Sequence, residues 1–511
     1  MKISLTLFLI ILVLAAIGIR VWTFTSVNSF LPLSGLYVDE KTYAMNPVIS
    51  GSNGFSRPPG MFVMAMITNA ADNTLHSRVV ISFISLLPAI ALLLAFRKQR
   101  SSWVYICCTG LALSPFVIIS GIQFLPAVPA AAFLSFSMLL AKRRKFLLAG
   151  FLAGIAVLFR AELVLIPAVL FFFSFRSRLR KWSIFAAGTS IALLPVIILN
   201  ISAGAGPVIA VNGAENLWLG TDWELLSTPP GTEFEELVAI GERESGGDSA
   251  FLQRAYFAIE SSPLKWFGMG IHKMLAFFTL PGPGRNLETG WLLKKTLLVL
   301  MLPLSLMAMS LGSVRCFDKN RVFWHDLAVS VIFAGVISAF VFFPSARFRL
   351  TAIPAFWFLS ASAVPERKHL RYAGFAALII ILISLFITYP GMVRPGLTST
   401  LTAEYMIESG NPAGAIEELD YASNRGFYGA DLHNLRGVSR SLLGYPSEGL
   451  MEFERAIEIA PESPTLWKNY AVSLWTNGKY IESIRAARRA VNLNPLLREQ
   501  LEPILVHAEN I

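Results

Sequence analysis

The stretch from Ile3 to Phe24 reads ISLTLFLIILVLAAIGIRVWTF, and it decides the fold because it is long and apolar enough to cross a bilayer as one helix. The whole chain has 511 residues, of which 54% are hydrophobic and only 15% are charged. Ten further apolar stretches follow before residue 390: Arg78–Phe96, Trp103–Ser120, Phe124–Ala141, Phe146–Phe159, Leu163–Phe175, Ser183–Ile201, Trp291–Leu311, Trp324–Phe343, Thr351–Val364 and Tyr372–Tyr389. This pattern excludes a soluble protein and predicts an all-α polytopic membrane domain over residues 1–390, with about 11 transmembrane helices.

Basic residues recur at every second connection between the apolar stretches. The clusters lie at residues 97–100, 142–145, 176–181, 315–321 and 367–371. Because Lys and Arg mark cytoplasmic loops, these clusters and Lys2 place the N-terminus in the cytoplasm. An odd number of spans then places the residues after Tyr389 outside, which we expect to be the periplasmic side of a bacterial inner membrane. This topology accounts for the net charge of +10 without a nucleic-acid partner.

The tail, residues 398–511, differs from the membrane domain in composition and contains a repeat. It has 10 Lys and Arg against 15 Asp and Glu, a net charge of −5, so the remainder carries +15. Positions 34 residues apart share the same residue type: Gly410, Gly444 and Gly478; Ala422, Ala456 and Ala490; Pro461 and Pro495. The pattern resembles the tetratricopeptide repeat, which implies an extracytoplasmic α-solenoid of about three repeats that could bind an acceptor or a partner protein.

Two longer external segments, residues 25–77 and 202–290, interrupt the spans. The first contains the carboxylate pair Asp39-Glu40, followed by Arg57-Pro58-Pro59-Gly60, and Arg78 opens the next span. Charged side chains at a membrane surface cost free energy to hold there, so they indicate a function. The chain has no Gly-rich nucleotide loop, no HExxH element and no cysteine spacing typical of a metal site.

The order of these elements resembles that of the GT-C glycosyltransferases, the superfamily of protein O-mannosyltransferases and lipid A aminoarabinose transferases. Those enzymes have an acidic residue soon after the first span, a basic residue before Pro-Pro, and a basic residue opening the next span. Three further elements are similar to theirs: the Gly-rich run 149–159 ending in Arg160-Ala161-Glu162, the element Phe348-Arg349-Leu350-Thr351-Ala352-Ile353-Pro354, and Glu215-Asn216-Leu217-Trp218-Leu219-Gly220. The resemblance covers residues 1–390.

The resemblance implies a membrane glycosyltransferase that moves a hexose or pentose from a polyprenyl-phosphate carrier to a hydroxyl acceptor on a protein, lipid or glycan. Asp39 would then act as the catalytic base, assisted by Glu40. Arginine binds phosphate through paired hydrogen bonds, and the candidates for the donor phosphate are Arg57, Arg78, Arg160, Arg347 and Arg349. The candidates for contacts with donor or acceptor are Tyr43, Glu162, Asn216, His272 and Lys273.

Several alternatives stay open at this point. Asp39 and Glu40 could hold a hydrated Mg²⁺ or Mn²⁺ ion, but the loop 120–126 lacks the second acidic residue that the family often has there. The arginines at span ends could instead anchor to lipid headgroups, and Glu162 could simply pair with Arg160. The whole chain could be a non-catalytic membrane scaffold that displays the repeats, or a polymerase or ligase of lipid-linked glycans.

Overall fold

The computed structural model describes residues 5–28, 33, 43, 55, 57–99, 101–174, 178–210, 213–221, 248–279, 293, 296–318, 321–342, 346–387, 397–424 and 426–507. Within these ranges the regular structure is entirely helical. The helices of the membrane domain are α1 Leu5–Asn28, α2 Gly60–Thr68, α3 Thr74–Ile84, α4 Leu87–Phe96, α5 Ser102–Ala112, α6 Pro115–Gly121, α7 Ala127–Lys142, α8 Phe146–Phe159, α9 Leu165–Ser174, α10 Leu179–Ser202, α11 Gly213–Leu219, α12 Asp248–Ser261, α13 Pro263–Phe277, α14 Leu302–Arg315, α15 Phe323–Val341, α16 Ala346–Ser360 and α17 Arg367–Phe386. The tail contains α18 Leu397–Glu408, α19 Pro412–Asn424, α20 Ala430–Leu442, α21 Pro446–Ile459, α22 Pro464–Thr476, α23 Tyr480–Leu493 and α24 Arg498–His507.

Six helical segments of the described chain are long and apolar enough to cross a membrane, which confirms an all-α membrane protein. They are Ile10–Asn28, Thr74–Phe96, Leu179–Ser202, Leu298–Arg315, Phe323–Val341 and Arg367–Phe386. The pair α5 and α6 would add a seventh, although it bends by 40° at its break. The other predicted spans coincide with shorter apolar helices, namely Ala127–Lys142, Phe146–Phe159, Ala161–Ser174 and Phe348–Ser360. The prediction of about 11 full crossings therefore goes beyond what helix length supports.

The predicted basic loops meet at one end of the helix bundle, which we call the basic end. The Lys142 ammonium at the end of α7 lies 4.1 Å from the centroid of the Phe96 ring and 4.7 Å from that of Trp324. Arg178, just before α10, pairs with Asp326 in the first turn of α15. Some helices end at the basic end and others begin there. We call the opposite end of the bundle the site end.

Small residues let α8 and α10 approach closely. The backbone of α10 at Phe185 fills the space that a side chain at Gly150 would need, and Thr189 does the same at Gly154. The Thr189 hydroxyl also donates a hydrogen bond to the Gly150 carbonyl, 3.1 Å away. Close packing of this kind drives helix association where lipid removes the hydrophobic driving force. It fixes the position of α8, which carries Arg160 at its site end.

The tail folds as consecutive helices that each pack on the next one in the chain. Gly410, Gly444 and Gly478, which are 34 residues apart, all have φ between 76° and 88° and end the first helix of each pair. This left-handed conformation favours glycine, which explains the period seen in the sequence. Leu401 of α18 belongs to the same core cluster as the membrane helices, so the tail begins packed against the membrane domain.

Candidate functional site

The loop that carries Arg57 is anchored on the site end of α8. Pro58 and Pro59 lead into α2, and Gly60 begins that helix. A Cβ atom at Gly60 would lie 2.8 Å from the Phe159 ring and 2.9 Å from the Leu158 carbonyl oxygen, so no larger residue fits without movement. The partly exposed Arg57 lies with its guanidinium carbon 5.5 Å from the centroid of the Tyr43 ring. Two predicted site residues from one segment, Tyr43 and Arg57, are thus together.

The connection between α8 and α9 is a sharp corner. Arg160 leaves the helix with an extended backbone (φ −144°, ψ 101°), and residues 161–164 form one 3₁₀ turn. The Arg160 guanidinium pairs with the Glu162 carboxylate, and both side chains are largely buried. This pair places Glu162 where the simpler alternative expected it, as the partner of Arg160. The Arg160 charge is therefore largely compensated within the protein.

The start of α16 joins this corner. The Arg160 guanidinium carbon lies 4.9 Å from the centroid of the Phe348 ring, a cation–π distance. The next residue, Arg349, is completely buried, donates a hydrogen bond to the Thr279 carbonyl and lies 4.0 Å from the centroid of the Phe116 ring. We call residues 57–60 Loop57. Loop57 meets the end of α8 at Gly60. Loop57, the corner 160–164 and the start of α16 together form what we call the site cluster.

Arg78 is engaged inside the protein rather than exposed to a ligand. It lies in α3, is only 2% exposed, and donates a hydrogen bond of 2.7 Å to the Ile122 carbonyl. Ile122 is the C-cap residue of α6, and backbone acceptors at a helix C-terminus lack an intrahelical donor. Arg78 thus holds α3 against α6. Its predicted contact with the donor phosphate would need this bond to be shared or broken.

Lys273 also binds backbone carbonyls at a helix end. Its ammonium group is fully buried and lies 2.7 Å from the Gly220 carbonyl oxygen, 2.7 Å from that of Phe342 and 3.4 Å from that of Val341. Val341 and Phe342 end α15, so the negative end of the helix dipole also stabilises a positive charge there. These contacts give Lys273 a structural role. They leave its predicted contact with donor or acceptor without support from the geometry.

The remaining predicted contacts lie on neighbouring elements. Asn216 is a partly exposed residue of α11, which packs on α12 through Trp218 and Phe251. His272 is a partly exposed residue of α13. The link from α13 to the site cluster is the Arg349–Thr279 hydrogen bond described above.

The proposed catalytic pair, Asp39 and Glu40, lies outside the described residues. The backbone of Arg347 is described in the first turn of α16, but its side chain is not. Among the residues that are described, no group of three or more His, Cys, Asp or Glu side chains could hold a metal ion. The assignments of Asp39 as base, and of Asp39 and Glu40 as ligands of Mg²⁺ or Mn²⁺, stay predictions.

The sequence analysis missed two buried polar residues that organise this region. Arg20, near the end of the first apolar stretch, donates to the Ser85 hydroxyl at the break between α3 and α4 and to the Ala112 carbonyl at the break between α5 and α6. Asn200, near the end of α10, accepts the Phe55 amide at 2.9 Å and donates to the Val208 carbonyl at 2.7 Å. A charged or amide side chain within an apolar stretch was the signal that could have found both.

The site cluster thus offers one partly exposed arginine, one buried Arg–Glu pair and aromatic rings at the end of the bundle opposite the basic loops. An arginine beside an aromatic ring at this end of the bundle suits an anionic ligand better than a neutral one. No protein-family model matches the sequence, and no curated protein is similar enough to match it.

Proposed function

We propose that the chain is a GT-C-like glycosyltransferase that moves a sugar from a polyprenyl-phosphate carrier to a hydroxyl acceptor. The acceptor belongs to a protein, lipid or glycan on the extracytoplasmic face of a bacterial inner membrane. In this proposal the apolar helices make about 11 spans, with the N-terminus in the cytoplasm. The tail is a periplasmic tetratricopeptide domain that receives the acceptor or a partner protein.

The observation that carries this proposal is the contact between Loop57 and the end of α8, immediately before Arg160. These two elements are 100 residues apart in the sequence, and each was singled out by its resemblance to the same enzyme superfamily. Gly60 packs directly on Phe159, next to Arg160. A chance resemblance would not require the two motifs to meet, so their contact supports a common site.

The chemistry follows from charge. The acceptor hydroxyl transfers its proton to the Asp39 carboxylate as its oxygen bonds to the anomeric carbon of the sugar. The bond between that carbon and the phosphate oxygen breaks, and polyprenyl phosphate leaves with an additional negative charge. Arg57 stabilises this charge through charge-assisted hydrogen bonds. Arg160 contributes less because Glu162 already neutralises it.

The test compares transfer by wild-type protein and Asp39→Asn in membranes supplied with labelled polyprenyl-phosphate sugars. Loss of a general base should lower the rate roughly 10²–10⁴-fold. A parallel measurement follows thermal stabilisation by polyprenyl phosphate, which Arg57→Ala should abolish. Arg97→Ala is the matched control, since Arg97 is exposed at the basic end. Transfer by Asp39→Asn at the wild-type rate would refute the assignment.

One observation favours a second candidate, a non-catalytic scaffold. Three of the arginines predicted to bind phosphate, Arg78, Arg160 and Arg349, are buried and bind protein groups. A degenerate transferase core would keep such contacts for stability alone. The two candidates separate on the wild-type protein: polyprenyl phosphate stabilises an enzyme of the proposed kind but leaves the melting temperature of a scaffold unchanged.

A further inference from the structure

The consecutive helices α12 and α13 have only Ser262 between them, and we call these two helices the hairpin; their outer surface carries several apolar side chains. Its large exposed hydrophobic side chains are Leu252 (54% exposed), Tyr256 (66%), Phe257 (71%), Leu264 (86%) and Phe267 (55%). On a soluble surface, a patch of this kind marks a site of association. The question is which partner covers it.

The inner side of the hairpin is firmly attached to the membrane domain. Phe251 and Ala255 of α12 are buried against α11. A Cβ atom at Gly270 of α13 would lie 2.5 Å from the Phe340 ring, and the rings of Trp266 and Phe267 lie 5.3 Å and 5.7 Å from that ring. Since Phe340 is the penultimate residue of α15, α13 packs on the site end of a membrane helix.

The lipid-facing surface of α15 continues onto the hairpin. Phe333 and Ile337 are the exposed large residues of that helix, and they lie one turn apart on one face. Phe340, three residues further, continues this stripe and is covered by Trp266 and Phe267. The exposed apolar side chains of the hairpin therefore begin where the exposed apolar stripe of a membrane helix ends.

We infer that the hairpin formed by residues 248–277 is seated in the headgroup region of the bilayer, with its exposed apolar side chains among the acyl chains. Aromatic and aliphatic side chains beside a basic residue are typical of interfacial helices. The exposed Lys265 lies between Leu264 and Trp266, where its ammonium can reach lipid phosphates. The partner is thus the lipid surface rather than a second protein. This inference does not depend on the proposed transferase activity.

One consequence concerns the site cluster. The chain leaves α13 at Phe277, and the Thr279 carbonyl binds Arg349, whose neighbour Phe348 lies beside Arg160. Lys273 ties the same helix to the end of α15. Through these contacts the membrane-seated hairpin holds the corner at Arg160 near the bilayer boundary.

The test measures the depth of spin labels in the full-length protein, reconstituted in phosphatidylcholine nanodiscs. The native cysteines, Cys107, Cys108 and Cys316, are buried, so an introduced surface cysteine can be labelled selectively. Labels are placed at Phe257→Cys and Leu264→Cys, and collisions with oxygen, which prefers lipid, are compared with collisions with a water-soluble nickel chelate.

Two exposed positions serve as matched controls. Phe375→Cys (64% exposed) lies on the membrane helix α17 and Tyr428→Cys (72% exposed) lies in the tail. We expect the oxygen-to-nickel ratio of both hairpin labels to lie near that of position 375 and well above that of position 428. A ratio equal to that of position 428 would place the hairpin in water and overturn the inference. Protection from both reagents would also overturn it, because it would indicate a protein partner. If a labelled variant melts below wild type, Tyr256→Cys replaces it.

Discussion

The contact of Gly60 with the end of α8 makes a sharp prediction for Gly60→Ala. The added methyl group would lie 2.8 Å from the Phe159 Cγ atom, 2.9 Å from its Cδ1 atom and 2.9 Å from the Leu158 carbonyl oxygen. One of these contacts is a backbone atom at the end of a packed helix, so rotating the Phe159 ring cannot relieve all three. The remaining response is to move α2, and with it Loop57, away from α8.

The size of the effect can be worked out from these distances. Non-bonded carbon atoms prefer a separation of about 3.5–4.0 Å, so α2 must shift by roughly 1 Å. Overpacking of this kind costs typically ~1–3 kcal/mol of stability. Alanine gains back about 0.5–1 kcal/mol over glycine within a helix, which leaves a net loss of stability between about 0 and 2.5 kcal/mol. If Arg57 binds the donor, a displacement of 1 Å could lower turnover by on the order of 10²-fold.

The assay for stability uses the buried thiols of Cys107, Cys108 and Cys316, which react with a fluorogenic maleimide as heating unfolds the protein. Gly268→Ala is the control, because Gly268 is also helical but has open space around its Cβ position. We expect a lower melting temperature for Gly60→Ala only, together with weaker stabilisation by polyprenyl phosphate. If Gly60→Ala melts at or above the temperature of the control, the close packing inferred here is wrong. A lower melting temperature with unchanged donor binding would keep the packing but remove Loop57 from the donor site.

Two further predictions concern buried charges. Lys273→Met should lower stability by about 1–3 kcal/mol, because the Gly220 and Phe342 carbonyls lose their donor, although the cost of burying a charge is also removed. The thiol assay measures this loss of stability. An unchanged melting temperature would contradict the capping role of Lys273. In the tail, burial raises the pKa of Glu452, but the hydrogen bond and charge of His433 outweigh this with help from nearby arginines, so the pKa is lowered overall. Its stabilisation is therefore complete at neutral pH and is lost as the pH falls through the lowered pKa. Glu452→Gln should make the tail more susceptible to proteolysis at neutral pH, and its difference from wild type should shrink in acid; a difference independent of pH would argue against this ion pair.

The sequence predicted the helical membrane domain well because apolar stretches and basic loops are local features. It placed helix boundaries less well. The last membrane helix begins at Arg367 rather than Tyr372, because its basic first turn is helical although it is not apolar. The stretch predicted as Trp103–Ser120 contains a break after Ala112, which hydropathy does not detect because the two halves together are apolar enough for one span. The tail repeat was visible because glycines at three turns keep a fixed spacing.

The site was predicted only in part, since long-range contacts decide it. The resemblance identified Arg57 and Arg160, and the structure brings their segments together through Gly60 and Phe159. Nothing local in the sequence shows that Asn200 joins the two external segments, because its partners, Phe55 and Val208, lie on different loops. The pairing of Arg160 with Glu162 was foreseen only as an alternative, since residues two apart meet only when a helix ends between them.

Most of the buried Lys and Arg side chains that the structure describes share one physical role, which separates them from Arg57. Four of them donate to carbonyls at or just beyond the end of a helix: Arg20 to Ala112, Arg78 to Ile122, Lys273 to Phe342 and Arg349 to Thr279. Such carbonyls lack an intrahelical donor, and lipid cannot supply one, so broken helices in a membrane domain need donors from side chains. Helix ends and phosphate sites therefore both contain arginine and lysine, and a sequence motif cannot distinguish the two kinds of site. Exposure can: Arg57 is partly exposed beside the Tyr43 ring, so among the predicted arginines whose side chains are described it is the one best placed to meet a phosphate from outside.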